Sequence, residues 1–153
     1  MECAKPDRMW APNAGEPAKP LQRIASGGEL SRLMLAVKTV LSKRDLVSLY
    51  VFDEVDSGVG GRAADTIGRK LQRVAQDHQA IVITHLAPIA ARADHHLVVK
   101  KGQVDGRTTS DLSLVRGRGR LEELARMIDG ASASATTRKA AKEMLERSRV
   151  SAG

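Results

Sequence analysis

Residues 45–54 read DLVSLYVFDE, a largely apolar run with β-branched and aromatic residues that stops abruptly at two carboxylates, Asp53 and Glu54. Such a run has the pattern of a buried strand, and it delivers its charges at its C-terminal end. Next come a glycine-containing loop, VDSGVGG (55–61), and a helix spacing in Ala64, Ile67, Leu71, Val74 and Ala75, broken by Asp77-His78. A second short apolar run, AIVIT (80–84), is followed at once by His85. Strand, helix, strand implies a crossover and therefore parallel strands, whose C-terminal loops can meet in one crevice. Asp53, Glu54 and His85 are expected along that edge.

Upstream, IASGGELSRL (24–33) has the spacing of a helix start. With Ser26 as N-cap, Glu29 falls at N3, which makes a capping box. The box leaves Gly27 and Gly28 unexplained at N1 and N2. Without Cβ atoms, these positions leave the first-turn N–H groups open to an anion, which the helix N-terminus favours electrostatically; the alternative is an ordinary helix start after a turn. Leu30, Leu33, Met34, Val37 and Leu41 mark the expected core face of this helix, with Arg32 and Lys38 off the stripe. Residues 1–20 hold Pro6, Pro12, Pro17 and Pro20 and read as an extended or looped lead-in to a lobe spanning 21–150.

Beyond His85, HHLVVK (95–100) reads as a third strand, KGQVDG (101–106) as a turn, and RTTSDLSLV (107–115) as a fourth, edge strand. His95 and His96 read as the polar start of a strand, since they lack nearby cysteine or a spaced acidic partner for zinc. Leu121, Leu124, Ala125 and Ile128 line a helix stopped by Asp129-Gly130. ASASATT (131–137) reads as a hinge or loose helix start before a final helix in RKAAKEMLERSR (138–149).

Bulk properties narrow the classes. Aromatic residues make up 2% of the 153 residues, so aliphatic side chains must form the core, and a base-stacking platform for single-stranded nucleic acid is disfavoured. The lone cysteine, Cys3, cannot form an internal disulfide. No run approaches the ~18 apolar residues of a membrane span, and the expectation is a cytoplasmic protein with no membrane partner. A net charge of +7 favours phosphate-rich partners without identifying one. Arg116, Arg118 and Arg120, in RGRGR, are candidate phosphate-backbone contacts, with a solvated turn as the plainer reading.

Adjacent carboxylates after a strand suit phosphoryl transfer, one held near a cation and its neighbour polarising water; a charged strand terminus is the alternative. His85 could touch a terminal phosphate, with polar surface as the plainer reading. Ser26 and Ser31 have no evident base partner for acyl transfer. A G-x-x-x-x-G-K-[ST] loop is absent from this sequence, and SGVGGR (57–62) lacks the lysine. The residues therefore describe half of an ATP site.

The order SGGE, LYVFDE, VDSGVGG, VITH resembles the signature, Walker B, D-loop and switch histidine of ATP-binding-cassette and SMC-like heads. More specifically, NAGEPAKPLQRIASGGELSRLMLAVKTVL, VFDEVDSGVGGRAADTIGRKLQRVA, VITHLAPIAARAD, GRTTSDLSLV and RLEELARMIDG resemble the C-terminal region of the bacterial RecN family of DNA repair proteins, over about residues 12–147. That resemblance implies an α/β fold: the C-terminal lobe of a P-loop ATPase head, mostly parallel strands with flanking helices, lacking the Walker A lobe. It implies that Ser26, Gly27, Gly28 and Glu29 cap the γ-phosphate of ATP held mainly by the opposite head of a homodimer. Asp53 would act on Mg²⁺ through water, Glu54 would orient or activate the attacking water, Asp56 would join the two composite sites, and His85 would contact the γ-phosphate.

The implied partners are an N-terminal RecN-like lobe, a second head and DNA, in double-strand break repair at the nucleoid. Where the family usually reads THLPQI this chain reads THLAPI, so Pro88 is displaced and the helix after His85 is expected to begin differently. The chain by itself is expected to be inactive on ATP. A non-catalytic DNA- or protein-interaction module remains the alternative, ahead of a transporter nucleotide-binding domain.

Overall fold

A computed structural model describes residues 9–11, 15, 17–20, 26–41, 46–104 and 106–150. Its centre is the parallel pair β3 (Leu49–Phe52) and β4 (Gln79–Val82), in register from Leu49 opposite Gln79 to Phe52 opposite Val82. Helix α2 (Gly61–Val74) makes the crossover, as the apolar spacing requires. Along β3 the side chains alternate, and Tyr50 and Phe52 turn inward. There they meet Leu35 of α1 (Gly27–Leu41), Ala64, Ile67, Leu71 and Val74 of α2, and Val55 and Ile89. Burying each large aliphatic side chain of this cluster contributes about 1.5–3 kcal/mol.

The expected α2 stripe is buried except for Ala75, which lies just past the helix and is exposed. Helix α1 departs from expectation. Leu30, Met34, Val37 and Leu41 are exposed, and Leu35, roughly 140° around the helix from Leu30, is its buried leucine. Leu33 is half-buried, so most but not all of the apolar stripe lies outside this core. The far face of the parallel pair is uncovered as well, with Leu49, Val51, Ile81 and Ile83 exposed.

A second core joins α3 (Ala87–Ala90), α4 (Gly117–Asp129) and α5 (Ala135–Val150) through Ala87, Ala90, Ala91, Leu124, Ala125 and Ala141. Ile89 belongs to the first core, so the single turn of α3 ties the two together. Pro88 sits in that first turn, where its missing N–H costs nothing. Two arginines fix the segment. Arg92 donates to Asp65 (2.7 Å) and Gln72 (3.1 Å) of α2, and holds the Asp65 carboxyl below its usual range. Arg120 of α4 donates to the carbonyls of Ala90, Ala91 and Ala93. The segment read as a hinge carries a cap: Ser134 Oγ accepts from Thr137 N at 3.1 Å and starts α5.

The sheets are mixed, which corrects the expectation of mostly parallel strands. β5 (His96–Val104) and β6 (Arg107–Val115) form an antiparallel hairpin, paired from His96 opposite Val115 to Val104 opposite Arg107. The reason is the connection. Lys101–Val104, read as turn, continue the strand, and only residues 105–106 link it to β6, with Gly106 at φ 74°; so short a link permits only antiparallel pairing. In the proline-rich lead-in, β1 (Met9–Trp10) and β2 (Lys19–Pro20) form another short antiparallel pair. Cys3, Pro6 and Pro12 lie outside the described residues.

Candidate functional site at the strand ends

The parallel pair brings the loops after β3 and β4 to one edge. As β3 ends, Glu54 adopts φ 57° and its carbonyl accepts from Ser57 N at 3.0 Å, closing a tight turn. A left-handed backbone at a non-glycine residue costs about 1–2 kcal/mol, so surrounding contacts must hold this bend. Its effect is to break the strand's alternation. Asp53 and Glu54 are both exposed, while Val55 and Asp56 turn inward.

Asp56 is 4% exposed, and its Oδ2 accepts from Thr84 Oγ1 (2.5 Å) and His85 N (3.0 Å) and lies 3.1 Å from His85 Nδ1. This carboxylate is thus occupied within the chain, linking the loop after β3 to the loop after β4. His85 itself remains largely open to solvent on its other side.

Helix α1 starts against the same turn. Ser26 Oγ accepts from Glu29 N at 3.3 Å, the Ser26 half of the expected capping box. The glycines have a cause that the sequence did not reveal. A Cβ on Gly28 would come within 2.8 Å of Ser57 Cβ and 3.0 Å of the Glu54 carbonyl, and one on Gly27 within 2.6 Å of Glu54 Oε2. They let the helix start lie directly on the turn that carries the carboxylates. Two clamps missed by sequence reading secure the contact: Ser31 Oγ donates to the Asp53 carbonyl and Arg32 Nη1 to the Ser57 carbonyl, both at 2.7 Å. Ser31 therefore acts as a tether. Its signal was position alone, one turn into a helix that runs back along the strand.

Gly27 and Gly28 abut Glu54, and Asp56, two residues further along the same loop, is bonded to His85. Glu54 lies beside a helix N-terminus, whose partial positive charge favours a carboxylate or another anion there. Among the described residues no group of three His, Cys, Asp or Glu could hold a metal ion. A cation at Asp53 would need ligands from a bound molecule or from water, the usual situation of Mg²⁺ with substrate phosphates.

The arginine cluster divides. Arg116 and Arg118 are exposed at the start of α4, whereas Arg120 is turned onto the α3 carbonyls and supports the fold. His95 is exposed, but His96, expected as a polar strand start, is buried. Its Nδ1 has no hydrogen-bond partner among the described residues, and burial first, then Arg120, pushes its pKa below the ordinary value, opposed by Glu123. No helix of the described residues is long and apolar enough to cross a membrane.

No protein-family model matches the chain. Whole-sequence comparison gives close relatives. The chain is 49% identical over 142 residues to the DNA repair protein RecN of Streptomyces coelicolor, which covers 93% of this chain and 25% of that protein. It is 53% identical over 126 residues to the DNA repair protein RecN of Deinococcus radiodurans, covering 82% and 22%. Most of the chain is thus homologous to bacterial RecN proteins, and it spans about a quarter of their length. A solved structure of an SMC ATPase, from a group described by ATP-driven dimerization and DNA-stimulated activation, aligns over 78% of this chain and 71% of its own, at 22% identity and a TM-score of 0.47.

Proposed function

We propose that this chain is the C-terminal lobe of a RecN-like ATPase head that acts in DNA double-strand break repair. The observation that carries the reading is the convergence on one edge of the α1 start, the Asp53-Glu54 turn and His85. Homology to RecN over most of the chain supports it.

In this reading the capped start of α1, with Ser26, Gly27, Gly28 and Glu29, faces the γ-phosphate of ATP held by a second head, and first-turn N–H groups receive the anion. Glu54, exposed and held in its bend by Ser57, orients the attacking water. Asp53 is tethered by its backbone to Ser31, which leaves its carboxylate free to hold Mg²⁺ through water. Bound with the nucleotide, Mg²⁺ neutralises charge on the phosphates. His85 contacts the γ-phosphate from the neighbouring strand.

The partner lobe has a place to dock. Parallel sheets are normally covered on both faces, yet Leu49, Val51, Ile81 and Ile83 are exposed here. A lobe bearing the Walker A loop, from the three quarters of a RecN-length protein outside this match, would cover them. A second reading, a DNA-binding module active without nucleotide, is favoured by the exposed pair Arg116 and Arg118 and the charge of +7.

The test is nucleotide-dependent pairing of heads assembled from this chain and the N-terminal portion of the Streptomyces relative. Ser26→Arg places a bulky cation at the helix start and should block pairing while ATP still binds to the complementing lobe. Normal ATP-dependent pairing by that variant would remove the role given to the α1 start.

A further inference from the structure

Asp56 is expected by resemblance at the junction of two composite sites, yet its carboxylate is buried and faces three polar atoms of its own chain. Of these, Thr84 Oγ1 and His85 N are committed donors, at 2.5 and 3.0 Å from Oδ2. The third contact, His85 Nδ1 at 3.1 Å, is favourable only if that nitrogen carries a proton, because an ionised carboxylate only accepts. Thr84 is itself fixed, its Oγ1 accepting from Leu86 N at 3.0 Å. The acceptor is therefore held in place from both sides.

We infer that Asp56 is the positioning residue for His85, fixing the imidazole in the Nδ1–H tautomer and turning Nε2 to the exposed side. The partner of one ring nitrogen determines what the other can do. In the neutral ring Nε2 then offers a lone pair. A phosphate oxygen also only accepts, so a γ-phosphate contact at Nε2 requires the doubly protonated ring, whose charge would face the Asp56 carboxylate. On the proposed function, on which this step rests, Asp56 thereby links the loop that carries Glu54 to the orientation of the phosphate-contacting histidine.

The tautomer can be read in this chain without nucleotide. Long-range ¹H–¹⁵N correlation of the imidazoles, about two pH units above the ordinary histidine pKa of roughly 6.5, distinguishes Nδ1–H from Nε2–H, with the exposed His95 as reference. The expected result is Nδ1–H at His85 in the native chain and its loss to Nε2–H in Asp56→Ala. Thr84→Val, which removes only the neighbouring donor, should keep Nδ1–H. An Nε2–H tautomer in the native chain overturns the inference without any variant, as does a folded Asp56→Ala that keeps Nδ1–H. A failure of the ATP reading would leave this signature unchanged, so the two can fail separately.

Discussion

Replacing Gly28 and Gly27 separately by alanine tests why the glycine pair is there. At Gly28 the new Cβ meets Ser57 Cβ at 2.8 Å and the Glu54 carbonyl at 3.0 Å, and neither is the loose end of a flexible side chain. The turn or the helix must move. Overpacking of this kind costs about 1–3 kcal/mol, and the helix-propensity gain of alanine over glycine returns at most about 1 kcal/mol. Set against each other, the two terms leave a net loss of up to about 2–3 kcal/mol. Gly27→Ala meets only the Glu54 carboxylate end, at 2.6 Å, which can swing into solvent. Its stability should stay within about 0.5 kcal/mol of the native chain, while Glu54 is displaced. Urea unfolding by circular dichroism measures both, with the slope checked for constancy. Ser57→Gly should recover part of the Gly28→Ala loss, since the two sites touch. A Gly28→Ala chain more stable than the native one, the propensity gain appearing unopposed, would refute the close-approach argument.

Other substitutions separate fold from site. Arg120→Ala, which strips the α3 carbonyls of a charged donor, should cost about 1.5–3 kcal/mol in the same assay, while Arg118→Ala stays within about 0.5 kcal/mol. Because burial lowers the His96 pKa below 6.5, the unfolded chain takes up a proton that the folded imidazole resists. Stability should therefore fall as pH drops below 6.5, and His96→Leu should flatten that loss between neutral pH and the acid range where Asp65 and Glu123 begin to protonate. If DNA binds through the start of α4, Arg116→Gln and Arg118→Gln should each reduce the salt slope of binding by about 1, as read by fluorescence anisotropy across a salt series. Val51→Ser with Ile81→Ser should leave the exposed sheet face folded yet abolish capture of the complementing lobe in a pull-down.

The parts of the fold legible in the sequence were those governed by local period. The β3–α2–β4 unit, the α2 stripe and the Ser26 cap follow from apolar spacing and from one box of four residues. What was missed depended on partners distant in sequence. The α1 stripe was read as core because periodicity reports an apolar face without saying what covers it, and it is Leu35, off that stripe, that joins Tyr50 and Phe52 in the core. The hairpin was read too short because Gly102 looked like a turn, while Asp105-Gly106 carried the real signal. Gly27 and Gly28 could be read only as open to an anion, because Glu54 and Ser57, which they touch, lie about 30 residues away. Asp56 was expected at a junction between two sites and Arg120 as a candidate phosphate contact; each also bonds within the chain, to partners distant in sequence that no local pattern announces.

The central claim, half of an ATP site, is tested most directly by ATP hydrolysis of the purified chain with and without a Walker A lobe supplied in trans. No turnover is expected from the chain alone, clear turnover with the lobe, and loss of that turnover on Glu54→Gln. Hydrolysis by the isolated chain, or lobe-dependent hydrolysis indifferent to Glu54→Gln, would contradict the account.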